Sequence, residues 1–308
     1  MSVLPELEAP RPAVGDGFTD AITLAFGDLA AEVYGTFRLG IAEGRTASGL
    51  ALLFQGDELV TVAAEGGLEV DDASAWENVS AAGLDVETLE PLRRWRVQFA
   101  GEDASLDLEV EATGAPFELD AGDPVARAGG MLGYEQPVRV RGTADIGGRR
   151  LTLAGLGQRG RSWGTPDWSR IERTRTITAW FEGTAIASTA IRPAGRHAHG
   201  DEVIGAVVFE PGDEAAEGAA DGHAQVDDPR ISTTFDAEGR QQRAALELWV
   251  TEDGPPRRAW GDVVCGTTLD LGRLRLDCAF MRWHMDGRTG VGRYDVLRRA
   301  PDADPATA

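Results

Sequence analysis

Residues 95–110 read WRVQFAGEDASLDLEV, and this stretch decides the fold. Apolar and polar side chains alternate over 95–99 and again over 106–110. The segment 101–103, Gly-Glu-Asp, supplies a short turn signal between the two runs. Alternation with a period of two on both sides of a short turn predicts a β-hairpin with one buried face.

The same pattern recurs along the chain, with further hairpins expected over 138–153, 174–191, 231–250 and 274–297. Strands joined by tight turns predict antiparallel meanders, and many strands at even spacing are typical of β-barrels or β-sandwiches. A single helix is expected over 71–82, where three apolar side chains share one face. The sequence therefore predicts an all-β protein with little helix.

The composition limits the classes of function. The chain has 308 residues, a net charge of -21 and no lysine, so all thirty basic residues are arginine. Such a negative charge repels phosphate backbones, so no nucleic-acid partner is expected. Apolar runs are only as long as strands, so no integral membrane segment is expected. The first residues show no signal-peptide pattern, and a cytoplasmic location is the expectation.

Metal ligands are not grouped in this sequence. Cys265 and Cys278 lack the spacing of a zinc site and are expected to be free thiols. His197 and His199 alternate as strand ligands do, but their flanks mark a solvated loop. No metal and no cofactor are expected, and the sequence leaves the oligomeric state open.

The segment 157–168, GQRGRSWGTPDW, is the strongest candidate for a site. Two arginines, two tryptophans, a carboxylate and three glycines suit the wall of a ligand site. The alternative is a crossing loop in which Arg159 or Arg161 pairs with a buried acid. About ten strand-like runs precede this segment and about eight follow it. The expected domains are residues 1–160 and 161–308, with the segment near their join.

Acidic residues are the best candidates for chemistry. Glu135 lies in GYEQP at 133–137, Asp167 lies beside Trp168, and Asp295 lies on the last expected strand. An apolar wall raises the pKa of a carboxyl and suits it to general-acid catalysis near neutral pH. The alternative is a structural ion pair with an arginine.

The motif GYEQ at 133–136, followed by GQR-x-x-SWG-x-x-DW at 157–168, resembles the paired signature of AttH-like and hydroxyneurosporene synthase-like (carotenoid hydratase-like) proteins. The likeness is strongest to their uncharacterised prokaryotic members. It implies two lipocalin-like antiparallel β-barrels side by side. Carotenoid members of this superfamily add water to an isoprenoid double bond, and fungal relatives include cyclases.

One position departs from the family pattern. Where the family often has Arg-Asp-His-Ser-Trp-Gly or Arg-Asp-Arg-Ser-Trp-Gly, this chain has Gly160 in place of the aspartate. If that aspartate donates the proton in active members, Glu135, Asp167 or Asp295 has to replace it here. Otherwise the protein only binds its ligand.

The resemblance leaves two functional hypotheses. The first is a cofactor-independent enzyme that hydrates, cyclises or isomerises a hydrophobic isoprenoid- or polyene-like molecule in a pocket between the lobes. Glu135 or Asp167 would donate the proton, and the expected substrate-binding residues are Tyr134, Gln136, Arg159, Arg161, Ser162, Trp163, Trp168 and Asp295. The second is a carrier for a hydrophobic small molecule, since a barrel can enclose a ligand without chemistry.

Overall fold

The structure is a computed structural model that describes residues 5–11, 15–196, 199–210, 222–251 and 254–300. Nineteen strands form two curled antiparallel sheets, one in each half of the described chain. The first sheet contains β1 (Thr19–Asp28), β2 (Val33–Ala42), β3 (Thr46–Gln55), β4 (Glu58–Glu69), β5 (Leu84–Glu90), β6 (Arg94–Ala100), β7 (Ala104–Ala112), β8 (Phe117–Leu119), β9 (Met131–Ile146) and β10 (Arg149–Gly164).

The second sheet contains β11 (Ile171–Phe181), β12 (Thr184–Pro193), β13 (Val203–Phe209), β14 (His223–Gln225), β15 (Asp228–Phe235), β16 (Gln241–Trp249), β17 (Arg257–Leu271), β18 (Leu274–Met285) and β19 (Arg288–Arg299). β10 ends at Gly164 and β11 begins at Ile171, so residues 165–170 connect the two sheets. The expected histidine pair lies outside the described residues, apart from the backbone of His199.

Both sheets have the same strand arrangement. The first runs β4-β3-β2-β1-β10-β9-β7-β6-β5, with β8 paired to β9, and the second runs β14-β13-β12-β11-β19-β18-β17-β16-β15. In each sheet the first strand therefore pairs with the last. Each sheet curls around its own apolar core, as two lipocalin-like barrels do, and this confirms the expected fold class.

The alternation that predicts the first hairpin matches the observed burial. On β6, Trp95, Val97 and Phe99 are buried, and the residues between them are exposed. β7 pairs with β6 and continues the pattern on the same face. These side chains fill the first core, so the polar residues between them face solvent.

The helix expected over 71–82 is wrong, because only a 3-10 turn at Trp76–Asn78 forms there. Asp72 accepts hydrogen bonds from the Ser74 backbone N–H at 2.9 Å and from Asn78 Nδ2 at 2.8 Å. Such local side-chain bonds compete with helical ones. The helix that does form, α1 (Pro124–Gly129), is short and begins at the capping residue Asp123.

The two lobes meet at an apolar layer, called here the junction, where the outer faces of the two sheets pack together. Its buried residues are Ala25, Tyr34, Leu52, Phe54, Trp180, Ala185, Ala187, Val207, Phe209, Cys265, Leu276, Cys278, Phe280 and Val291. β1 and β19 approach closely, since a Cβ at Gly27 would lie 2.6 Å from Val291 Cγ2. No helix among the described residues is long and apolar enough to cross a membrane.

Candidate functional site

Side chains along β10 alternate between the two faces of the strand, so the residues of the expected site lie in two places. Arg159, Arg161 and Trp163 point into the first barrel, where all three are buried. Gln158 and Gly160, on the opposite face, lie at the junction between the lobes. Successive strand residues face opposite sides of a sheet, so the signature cannot line one site with all its side chains.

Arg159 belongs to a buried network inside the first barrel. Its Nη2 donates to Glu8 Oε2 at 2.6 Å, and its Nη1 donates to the hydroxyl of Tyr134 at 2.9 Å. That hydroxyl in turn donates to Glu8 Oε1 at 2.9 Å. Trp95 stacks under the guanidinium, 4.3 Å from ring centroid to Cζ. Each group of the network therefore has partners within the protein.

Arg161 forms a second buried ion pair in the same barrel, with Asp20. Its Nη2 also donates to the carbonyl of Ala9 at 2.8 Å. Trp163 packs nearby, with the Arg11 guanidinium 3.8 Å above its ring. Residues 5–11, called here the N-terminal plug, thus contact buried side chains of the first barrel.

The plug thus contacts Tyr134, Arg159, Arg161 and Trp163, and both arginines form ion pairs with buried acids, which is the alternative that the sequence left open for them. Sequence reasoning missed Glu8, because no motif connects this residue to a tyrosine 126 positions away. Gln136 bonds within the protein as well, since its Nε2 donates to the carbonyls of Leu92 and Gly114 at 3.0 and 2.8 Å.

Three further candidates lie apart from the plug. Ser162 is half-buried on the outer face of β10. Trp168 packs beside α1 with Val125. Asp295 lies at the junction, where it forms an ion pair with Arg293. The expected set is therefore spread over several places.

Asp167 lies in the exposed linker between the lobes. Its Oδ1 accepts from the backbone N–H and the hydroxyl of Ser169, at 3.0 and 2.6 Å. These bonds hold the pKa of Asp167 below its ordinary value. An exposed carboxylate that stays ionised is a poor proton donor, so Asp167 does not fit the role of general acid.

Glu135 has the opposite environment. It lies on β9, half-buried at the wall of a narrow cleft with about 30 Å³ of free volume. The cleft opens between the lobes and is also lined by Phe117, Val125, Thr176, Thr189 and Val207. Gln158 Nε2 donates to Glu135 Oε2 at 2.7 Å, and no arginine of the described chain forms a salt bridge with this carboxyl.

Burial raises the pKa of Glu135 to about 7. The Gln158 hydrogen bond and the charges of Arg293 and Arg159 act in the opposite direction but are smaller effects. A carboxyl with this pKa is substantially protonated at neutral pH and holds a proton that it can transfer.

Gly160 lies directly opposite Glu135 on the paired strand. A Cβ at Gly160 would lie 2.8 Å from Glu135 Oε2 and 3.0 Å from Oε1. The Glu135 carboxyl therefore occupies the space into which a side chain at 160 would project. An acid at each of these two positions would not fit without movement.

A larger groove lies on the other side of Gln158, with about 320 Å³ of free volume. Its walls come from both lobes and combine apolar side chains, among them Pro137, Leu156, Trp180 and Phe181, with the charged side chains of Glu111, Arg139 and Glu182. Gln158 Oε1 accepts from Trp180 Nε1 at 3.4 Å. Gln158 thus connects the tryptophan of the groove with the carboxyl of the cleft. No sequence motif distinguishes Trp180, which stands only as one residue of an expected strand.

Comparisons with known proteins agree with this architecture. The family model described as "Domain of unknown function (DUF7064)" matches residues 5–300. No curated protein matches the chain significantly. Among solved structures, an AttH-like protein from Nitrosomonas europaea is 14% identical with a TM-score of 0.66, covering 91% of this chain and 92% of that chain.

Two other solved structures have the same fold. Kievitone hydratase from Nectria haematococca is 12% identical with a TM-score of 0.62, covering 96% of this chain and 92% of its own. CghA is 11% identical with a TM-score of 0.60, covering 94% and 90%. At these identities the likeness concerns the fold, and the chemistry has to be argued from the residues present.

Proposed function

We propose that this chain, which belongs to the DUF7064 family, is an enzyme that uses Glu135 as a general acid on an unsaturated, apolar small molecule. One observation carries the proposal. The Glu135 carboxyl faces a cleft between the lobes, is held by a neutral amide and not by an arginine, and has a pKa of about 7. This combination suits proton donation near neutral pH.

The contact between Glu135 and Gly160 supports the same role. The family whose signature this chain resembles often has an aspartate at the position of Gly160. Here the carboxyl of Glu135 fills that space from the neighbouring strand. We infer that the acid has moved from β10 to β9 while its location between the lobes is kept.

The proposed reaction needs only a proton and water. Protonated Glu135 transfers its proton to one carbon of a carbon–carbon double bond, and the other carbon becomes cationic. Water adds to that carbon and returns a proton to the carboxylate, so the net change is addition of water. If a second double bond of the same molecule attacks the cation instead, a ring forms, and the proton lost afterwards restores the acid.

The adjacent groove offers space for the apolar part of such a substrate. Its free volume of about 320 Å³ is at the lower end of ligand-sized sites, whereas the cleft at Glu135 holds little more than water. Trp180 presents an aromatic wall there, and aromatic faces stabilise cations. The fold is shared with a protein named a hydratase, which favours hydration over the other outcomes.

The test compares the parent protein with Glu135→Gln and Asp167→Asn on a panel of isoprenoid polyenes and alcohols. Products are followed by mass spectrometry in ¹⁸O-labelled water, and binding by quenching of tryptophan fluorescence. Glu135→Gln is expected to lose turnover by about 10²-fold or more with binding retained. Asp167→Asn removes an exposed carboxylate and is expected to keep turnover.

Two results would contradict the proposal. Turnover that survives Glu135→Gln would exclude Glu135 as the acid. Binding without turnover in the parent protein would leave the carrier function, which needs the groove at Trp180 but not the acid.

A further inference from the structure

A second charged group, Arg38, lies on the same face of the first sheet as Glu135. Arg38 on β2 is directly opposite Thr23 on β1, which is opposite Gly160, which is opposite Glu135. Residues opposite each other in paired strands share a face, so this row points toward the junction. Three strand spacings separate the backbones of Arg38 and Glu135 by about 14 Å.

The face of the first sheet between Arg38 and Glu135 consists of small residues. Thr23 and Gly160 lie in the row itself, and the next row consists of Gly40, Ala21 and Ser162. The Arg38 guanidinium bends over Gly40, where a Cβ would lie 2.9 Å from Nη1. Because the side chains in both rows are small, they do not fill the space above this part of the sheet.

Arg38 has no acidic partner. It is half-buried, and no carboxylate in the described parts of the chain forms a salt bridge with it. The arginines inside the barrels differ, since Arg159, Arg161 and Arg175 each pair with an acid. A cation withdrawn from water without a counter-charge is costly.

Arg293 makes the environment of Arg38 more positive. Burial lowers the pKa of Arg38, Asp20 opposes this effect, and the nearby Arg293 charge lowers the pKa further. Arg293 also acts on Glu135, so it lies within electrostatic reach of both ends of the row. Its own partner is Asp295. With Glu135 protonated, these four groups carry one net positive charge inside a protein of net charge -21.

We propose that Arg38 binds a carboxylate of the ligand, so that the substrate is an apolar unsaturated molecule with one acidic group. The inference rests on the proposed function for the position of the ligand between the lobes. A guanidinium matches a carboxylate with two parallel hydrogen bonds. Such an anion would give Arg38 a direct salt-bridge partner and would fix one end of the molecule at a distance from Glu135.

The experiment uses two probes that differ only in the acidic group, all-trans retinoic acid and all-trans retinol. Their affinities are measured by quenching of tryptophan fluorescence in the parent protein, in Arg38→Gln and in Arg149→Gln. Arg149 is exposed on β10 and serves as the matched loss of one positive charge. The parent and Arg149→Gln are expected to bind the acid at least tenfold more tightly than the alcohol, and Arg38→Gln is expected to lose this preference.

The results separate the two proposals. Equal binding of acid and alcohol by the parent, or a preference that survives Arg38→Gln, overturns the anion site alone. Binding of neither probe overturns the apolar site and the anion site with it. Loss of turnover in Glu135→Gln concerns the acid and leaves the preference intact.

Thermal unfolding of the ligand-free protein gives an independent readout. Removing an unpartnered, half-buried charge is expected to leave the melting temperature of Arg38→Gln unchanged or to raise it. A fall like that of a variant with a broken buried ion pair would assign Arg38 a structural role and overturn the proposal.

Discussion

Glu135 makes the stability of the protein depend on pH, because the pKa of this one residue differs between the folded and unfolded states. The carboxyl ionises near pH 4.5 in the unfolded chain and near 7 in the folded protein. Between these values the unfolded state binds fewer protons, so stability falls as the pH rises. The loss is complete above about pH 7 and amounts to at most about 3 kcal/mol, less where solvent reaches the carboxyl.

Glu135→Gln removes this ionisation and is therefore expected to be more stable than the parent protein at pH 8, with the advantage absent at pH 4. Urea unfolding of both proteins at the two pH values measures the difference. An advantage that is the same at both pH values would show that Glu135 does not titrate as described.

The contact between Glu135 and Gly160 predicts a reciprocal exchange. Gly160→Asp alone places a second carboxyl against Glu135 and is expected to cost about 1–3 kcal/mol, through crowding and like charge. The double variant Glu135→Ser/Gly160→Asp is expected to recover stability, because only one acid then occupies the space.

The exchange also bears on activity. Glu135→Ser/Gly160→Asp is expected to regain part of the turnover that Glu135→Ser loses, and Glu135→Ser/Gly160→Asn is the control with equal volume and no acid. Equal turnover in the two double variants would show that an acid at position 160 does not substitute for Glu135.

Single residues also show why the sequence predicts only part of the site. The sequence allows a crossing loop over 157–168, whereas β10 continues as a strand to Gly164. The sequence does not tell which face enters the barrel, because both faces of this strand are buried and carry polar groups. Glu135 stands out by its motif, whereas Arg38 and Glu8 depend on strand pairing and chain crossing that no local pattern shows.

At the scale of elements, the N-terminal plug stabilises the first barrel. Glu8 accepts hydrogen bonds from Tyr134, Arg159 and the indole of Trp95. Removing the acid leaves the Arg159 charge buried without an acidic partner, which typically costs about 3–5 kcal/mol.

Glu8→Gln is therefore expected to lower the free energy of unfolding by about 3–5 kcal/mol. Glu6→Gln is the matched control, since Glu6 is exposed on the same turn and its loss is expected to change stability by less than about 0.5 kcal/mol. Denaturant unfolding measures both, and equal effects of the two variants would contradict the role of the plug.

Short helices mark the limit of prediction for elements. The segment 71–82 has three apolar residues at helical spacing, but its polar residues bond locally and Trp76 enters the first core. α1 carries readable signals in Asp123, Pro124 and Gly130, yet six residues give no visible periodicity. Strands are predicted better because alternation persists over their whole length.

For the whole molecule, the junction holds the lobes together by apolar packing. Phe280 is fully buried there against Tyr34 and Phe54 of the other lobe. The salt bridge between Arg139 and Glu182 also links the lobes, at 2.9 Å, but both side chains are exposed. Exposed pairs contribute about 0–1 kcal/mol, whereas truncating a buried phenylalanine costs about 3–5 kcal/mol.

Phe280→Ala is therefore expected to destabilise both lobes by about 3–5 kcal/mol, and Arg139→Gln by less than about 1 kcal/mol. Calorimetry of the parent protein is expected to show one transition, because the two lobes share this core. Two separate transitions, with Phe280→Ala affecting only the second lobe, would show that the junction does not couple them.

The pairing of the first strand with the last in each sheet also has a consequence for the order of assembly. Thr19 pairs with Gly164, so β1 has to wait for almost the whole first lobe to leave the ribosome before it gains this neighbour. Until then the backbone N–H and C=O groups along one edge of β1 are unpaired and can bond to other chains. Contacts so distant in sequence slow folding. The nascent first lobe is thus most exposed to misassociation just before β10 is synthesised.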